Sequence, residues 1–92
     1  MIVRISGEEQ YRLEDGSSGR LNELDDDVLA AVDSGDEQRF RDAYGRLLEF
    51  VRASGQIIGE DEIETSDVIL PPSDLTLAEA GAEFTGEGLI PD

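Results

Sequence analysis

The sequence has no cysteine, no histidine and, among its 92 residues, no lysine. Without these side chains the chain lacks a thiolate nucleophile, an imidazole base and soft metal ligands, and disulfide bonds are excluded. A serine hydrolase would lack its usual base, because histidine or lysine fills that role. We therefore expect a non-enzymatic protein without a cofactor, suited to the reducing cytoplasm.

Long apolar runs are also missing. The first five residues are interrupted by Arg4 and soon followed by Gly7, too early for the apolar stretch of a signal peptide. No run approaches the roughly 18 to 20 apolar residues that a membrane-spanning helix needs. The sequence thus predicts a cytoplasmic protein with no direct membrane insertion.

Basic residues are scarce. Seven arginines stand against 23 acids, for a formal net charge of −16, and residues 56 to 92 carry ten acids and no base. Such a surface repels phosphate backbones and anionic lipid head groups, which argues against direct nucleic-acid binding and favours a basic protein partner. The arginine usage without lysine favours a GC-rich genome, with adaptation to high salt as the alternative explanation of the acid excess.

Alternating apolar and polar side chains predict a β-hairpin over residues 1 to 14. A three-residue loop of Gly7, Glu8 and Glu9 would place Ile5 opposite Tyr11 and Val3 opposite Leu13, which gives one apolar face. Such a face cannot be buried by the hairpin alone, so it requires a second layer.

From residue 21 to residue 51, apolar residues recur at the spacing of α-helices. One apolar stripe ends at Gly35, with Ser17 or Ser18 as its expected cap, and Asp36 caps a second helix that ends at Gly55. The short connection predicts an antiparallel αα-hairpin packed on the β-hairpin. The apolar positions are Leu21, Leu24, Val28, Ala31 and Val32 in the first helix, and Phe40, Ala43, Tyr44, Leu47, Leu48 and Val51 in the second.

Beyond Gly55 the pattern weakens. Residues 67 to 70 read as a short strand ended by Pro71, and Thr76 with Glu79 has capping-box spacing ahead of a short helix. We expect residues 56 to 92 to wrap over residues 1 to 55 as an extended, partly mobile acidic segment. The predicted fold is α+β, with an N-terminal β-hairpin packed on an antiparallel αα-hairpin, in a single domain over residues 1 to 92.

Two dense acidic clusters raise the question of metal binding or carboxylate catalysis. Consecutive helical residues point about 100° apart, so three adjacent aspartates cannot converge on one ion. The second cluster lacks the glycine and final glutamate of a calcium loop. We interpret both clusters as solvent-exposed charge. Residues 16 to 19 are interpreted as a loop and not as a glycine-rich phosphate-binding site, because no lysine follows them. The clusters are Asp25, Asp26 and Asp27, and Glu60, Asp61, Glu62 and Glu64.

Candidate partner-binding residues come from three sources. Arg4 and Arg12 are expected to face each other on the outer side of the hairpin, a like-charge pair that an acid of the C-terminal segment or of a partner would neutralise. Large aromatic side chains that can reach an interface are Tyr11, Phe40 and Tyr44. The acidic run adds Glu60, Asp61 and Glu62.

The order of segments resembles a known family. The opening MIVRISGEEQYRL, two short acidic helices, SDVILPPSDLTLAEA and a closing GEGLIPD together span the chain. This is similar to the phage shock protein A-associated (PspAA) family, small proteins of actinobacteria and archaea encoded beside phage shock protein A homologues. The resemblance implies a cytoplasmic accessory of a membrane-stress response, acting with a coiled-coil, membrane-associated protein and reaching the inner face of the membrane through it.

The alternative function is an acidic mimic of nucleic acid that occupies a DNA-binding protein. Charge alone does not separate the two functions, but a mimic presents acids at regular, phosphate-like spacing, which the clustered acids here do not match. A carboxylate enzyme is a third hypothesis, which the acid spacing disfavours.

Overall fold

A computed structural model describes residues 1–59 and 64–83 of the chain. Its elements are, in order, strands β1 (Ile2–Ile5) and β2 (Gln10–Arg12), a 3₁₀ turn (Asp15–Ser17), helices α1 (Ser18–Ser34) and α2 (Glu37–Ser54), strands β3 (Gln56–Ile58) and β4 (Val68–Leu70), and helix α3 (Leu77–Glu83). The predicted α+β fold, a β-hairpin with two packed helices and a later short strand and helix, is confirmed.

The strands form one sheet of order β3-β2-β1-β4. β1 pairs antiparallel with β2 and parallel with β4, and β2 pairs antiparallel with β3. The sequence pattern did not reveal β3, because two adjacent isoleucines after Gly55 show no alternation. The hairpin that the sequence predicted is therefore the centre of a larger sheet.

The register of the hairpin differs from the prediction. Val3 lies opposite Tyr11, and Arg4 lies opposite Gln10, so the pairing of Val3 with Leu13 is wrong. The turn is centred on Gly7, one residue earlier than expected. Glu8 N–H donates a hydrogen bond to Ile5 O at 2.8 Å, and Gly7 has a φ of 82°. A shift of two residues keeps every side chain on its predicted face, because side chains alternate with period two.

The core lies between one face of this sheet and the helices. Both predicted helical stripes are buried, apart from Val32, which is partly buried. The largest fully buried side chains are Phe40, Ile5, Leu13, Leu21, Leu47, Leu70, Val3, Val28 and Val51. They come from both helices and from three segments of the sheet layer, so the apolar face of the hairpin is covered as predicted.

Caps fix the helix ends. The Asp36 side chain accepts a hydrogen bond from Arg39 N–H at 3.1 Å, and Gly35 adopts the left-handed conformation at φ 72° that closes α1. The expected serine cap of α1 is wrong. Ser17 occupies the N-cap position without a side-chain cap bond, because the 3₁₀ turn already leads into the helix.

The capping box of α3 is confirmed. Glu79 N–H donates to Thr76 Oγ1 at 3.3 Å, and Thr76 N–H donates back to Glu79 Oε1 at 3.2 Å. Buried Leu75 and Ala80 attach this part of the chain to the core. The predicted short helix is therefore anchored on both sides of its first turn.

Candidate protein-binding surfaces

One side of α1 is rich in acids, one of which, Glu23, pairs with Arg20 at 3.0 Å. Glu23, Asp26, Asp27 and Asp33 are exposed around Ala30 at helical spacing, and we call these four carboxylates the α1 acidic face. Like charges three or four residues apart destabilise a helix by about 0.2 to 0.5 kcal/mol per pair. Asp33, in the last turn, also faces the negative end of the helix dipole. The pair with Arg20 accounts for Glu23, but helix stability does not account for Asp26, Asp27 and Asp33, which marks the face as a candidate binding surface.

Asp25 does not belong to this face. It is 3% exposed, although the sequence suggested that all three adjacent aspartates are solvated. That interpretation is wrong for Asp25 because it lies four residues after Leu21 and three before Val28, on the buried stripe. Only Asp26 and Asp27 of the cluster can meet a partner from α1.

The two candidate arginines of the hairpin lie on the outer face of the sheet, away from the helices. They are not directly opposed, because Arg4 pairs in register with Gln10 and Arg12 with Ile2. Arg12 forms an ion pair with Glu64. Of the two expected sources of a neutralising acid, the C-terminal segment therefore supplies it. Arg4 is exposed.

Exposed isoleucines mark the two edges of the sheet. Ile69, in β4, is 61% exposed and lies beside Arg4 on the outer face; Ile57, in β3, is 63% exposed. Both belong to edge strands, whose outer backbone groups are not paired by any other described strand. Their exposure was not evident from the sequence, because these apolar runs are too short to show which residues face solvent.

The candidate aromatic residues lie in the core. Phe40, Tyr44 and Tyr11 are 1%, 3% and 5% exposed. The rings of Phe40 and Tyr44 stack with centroids 5.6 Å apart, and Tyr44 Oη donates to Pro71 O. These contacts hold α2 against the segment that follows β4. The three rings therefore pack in the core, and the surface around them is formed by other, exposed groups.

Burial and nearby acids change the ionisation of Tyr11. Desolvation, followed by the charges of Glu9 and Glu8, raises the pKa of Tyr11 above its ordinary value of 10.0, and Arg52 opposes the shift. The same Arg52 donates to Glu8 through Nε at 3.1 Å and Nη2 at 2.6 Å. This bidentate pair ties α2 to the hairpin turn.

The remaining candidates, Glu60, Asp61 and Glu62, lie outside the described residues. Within residues 1–59 and 64–83, no group of acids is arranged to hold a metal ion. The same part of the chain contains no helix that is long and apolar enough to cross a membrane.

The chain is similar to a known protein family over its whole length. A family model described as "PspA-Associated protein" matches residues 1–92. No curated protein and no solved structure matches the chain.

Proposed function

We propose that this chain, which belongs to the PspA-associated protein family, binds a phage shock protein A homologue and modulates it without catalysing a reaction. The observation that carries the proposal is the family match over residues 1–92, since the family is described by its association with that protein. The binding role and its mechanism are our inference.

Charge supplies the physical basis of the proposed binding. A chain of net charge −16 is attracted to a basic helical surface, and such attraction speeds association and selects among partners. The α1 acidic face is the best-defined described element for this contact, because its four carboxylates share one side of a rigid helix. A membrane-associated coiled coil with a basic lipid-facing side is the partner that this surface suits. We place the complex in the cytoplasm at the inner face of the membrane.

The acid spacing on α1 favours this function over a nucleic-acid mimic. The exposed acids lie at positions 23, 26, 27 and 33, with Ala30 interrupting the row. Regular phosphate-like spacing is absent from this helix, whereas a basic protein surface can adapt its long side chains to uneven acids. The absence of histidine, lysine and cysteine from the sequence supports a role without acid-base or thiol chemistry.

Titration calorimetry with the purified phage shock homologue from the same genome tests the proposal, at about 0.01 M and about 0.15 M ionic strength. We expect saturable binding that weakens with salt. Neutralising the α1 acidic face with Glu23→Gln, Asp26→Asn, Asp27→Asn and Asp33→Asn should weaken binding by about tenfold, or about 1.4 kcal/mol. No binding at either salt concentration would overturn the proposal.

A matched control separates this face from net charge. Four exposed acids elsewhere are neutralised in the control: Glu9→Gln, Glu14→Gln, Asp15→Asn and Asp74→Asn. Both variants change the formal net charge from −16 to −12. The control should bind nearly as well as the original chain. Equal weakening of both variants would show that total charge, and not the α1 acidic face, drives the association.

A further inference from the structure

Gly45 lies in the middle of α2, where the fold gives no reason for a glycine. The position is exposed, and a Cβ added there would meet nothing within 4 Å. Its φ is not positive, so the backbone does not require glycine either. A glycine in the interior of a helix is destabilising relative to alanine. Because folding does not account for Gly45, the missing side chain points to a role outside the fold.

Gly45 lines a groove of about 490 Å³ between α2 and residues 73–76. A side chain at position 45 would project into this groove from α2, so the glycine keeps it open. A partner can therefore approach the backbone of α2 closely at this point. The floor of the groove is apolar and consists of side chains buried in the core, namely Phe40, Tyr44, Leu48 and Leu75.

Most of the charge along the groove is compensated within the chain. Arg41 and Arg52 line its α2 side. Arg41 pairs with Glu37 at 2.9 Å, and Arg52 pairs with Glu8 at 2.6 Å. The other charged residue of the lining, Asp74, forms no ion pair with any residue that the structure describes. The groove therefore suits an occupant that is apolar over the floor and carries a base opposite Asp74, in keeping with the net charge of −16.

We infer that the groove receives one large apolar side chain, such as leucine, methionine or phenylalanine, from a helix of the phage shock protein A homologue, with a lysine or arginine of that helix opposite Asp74. The inference rests on the proposed function and adds an apolar anchor to it. A few anchors in pockets carry most of the affinity of a protein interface. The pair with Asp74 is exposed, so it contributes little affinity and mainly selects a basic segment over an acidic one.

Two separate contributions to binding follow from this arrangement. The α1 acidic face supplies attraction that salt screens, because its carboxylates are exposed. The groove supplies apolar contact, which salt does not screen. The original chain should therefore still bind the homologue at about 0.5 M ionic strength, where the Debye length is only about 4 to 5 Å. Attraction by charge alone predicts that binding is lost there.

The variant Gly45→Gln fills the groove without changing the net charge. Glutamine is a good helix former, so circular dichroism should show α2 intact, with a thermal midpoint equal to or above that of the original chain. Calorimetric titration with the purified homologue should show binding at least about tenfold weaker at both about 0.15 M and about 0.5 M ionic strength. Neutralising the α1 acidic face should instead weaken binding at the lower ionic strength and leave it nearly unchanged at the higher one.

The matched control is Gly16→Gln. Gly16 is exposed and a Cβ there also meets nothing within 4 Å, but it lies in the 3₁₀ turn before α1. This control should bind like the original chain.

Three results overturn the inference and leave the proposed function standing. They are unchanged binding by Gly45→Gln at either ionic strength, equal weakening by Gly16→Gln, and loss of binding by the original chain at about 0.5 M ionic strength. Failure of the original chain to bind at any ionic strength overturns both. If Gly45→Gln does not fold, Gly45→Ala decides the matter, since weaker binding by this more stable helix supports the inference and unchanged binding overturns it.

Discussion

The side-chain amide of Gln10 bonds in both directions with the backbone of Glu64. Gln10 Nε2 donates to Glu64 O at 2.6 Å, and Glu64 N–H donates to Gln10 Oε1 at 3.2 Å. The same Nε2 donates to Ser66 Oγ at 2.8 Å. Gln10 thereby holds the segment before β4 across the outer face of the sheet, in the manner of an additional backbone pairing.

Replacing Gln10 by alanine should release this segment. Gln10 is 9% exposed, so its loss leaves partly buried backbone groups without their partner. We expect the free energy of unfolding in urea to fall by about 1 to 3 kcal/mol. The Glu64 amide should also exchange its hydrogen faster. The exposed Gln38→Ala is the control, with an expected change within about 0.5 kcal/mol, and unchanged exchange at Glu64 in the Gln10 variant would contradict this role.

Two glycines, Gly45 in the middle of α2 and Gly55 at its C-cap, should respond to alanine in opposite ways. A Cβ at Gly45 meets nothing within 4 Å, so Gly45→Ala should stabilise the helix by about 0.5 to 1 kcal/mol. At Gly55 a Cβ would lie 2.7 Å from Val51 O and 2.8 Å from Tyr11 Cβ. Gly55→Ala should therefore destabilise the fold by about 1 to 3 kcal/mol. Thermal unfolding of both variants checks the signs, and a stable Gly55→Ala would refute the close approach of α2 to β2.

Alkaline pH should weaken the fold through Tyr11. Its folded-state pKa is raised, so the native state holds the phenolic proton more tightly than the unfolded chain does. This contribution is fully present below pH 10 and disappears as the pH rises through the folded-state pKa. Urea unfolding across that range should show a decline in stability, and the decline should be shallower in Tyr11→Phe. Identical slopes in both proteins would exclude Tyr11 as the source.

The hydroxyl of Tyr44 should contribute to stability separately from its ring. Tyr44→Phe keeps the stack on Phe40 but removes the donor to Pro71 O. A loss of about 1 kcal/mol is expected, as for a typical buried hydrogen bond. Urea unfolding measures it, with Tyr44→Ala as the reference for loss of both ring and hydroxyl at about 3 to 5 kcal/mol. Equal stability of Tyr44→Phe and the original chain would show that this bond contributes nothing.

Local signals in the sequence were sufficient to predict the helices. The Asp36 cap, the Gly35 stop and the capping box at Thr76 each need only neighbouring residues, and all three are observed. The side of the sheet on which each strand residue lies was also predictable. Alternation places Val3 and Tyr11 on the apolar side in either register. These features depend on short-range chemistry that a single sequence contains.

Pairings between distant segments were not predictable in the same way. The register of the hairpin depends on which residues close the turn, and several turns fit the residues around Gly7. β3 is too short for its pattern to differ from a loop, whereas the burial of Asp25 could have been predicted from its spacing to Leu21 and Val28. At the candidate site, acids could be counted from the sequence, but which arginines of the described residues form ion pairs emerged only from the structure.

The parallel pairing of β1 with β4 has a consequence for synthesis of the chain. Asp67 follows Ile2 by 65 residues, which a ribosome adds in several seconds at about 5 to 20 residues per second. During that time one edge of β1 has no strand to complete it, and β1 is exposed to pairing with other nascent chains. We expect the mutual repulsion of these acidic chains to keep them apart until β4 emerges, so that the same charge serves first in biogenesis and later in recognition.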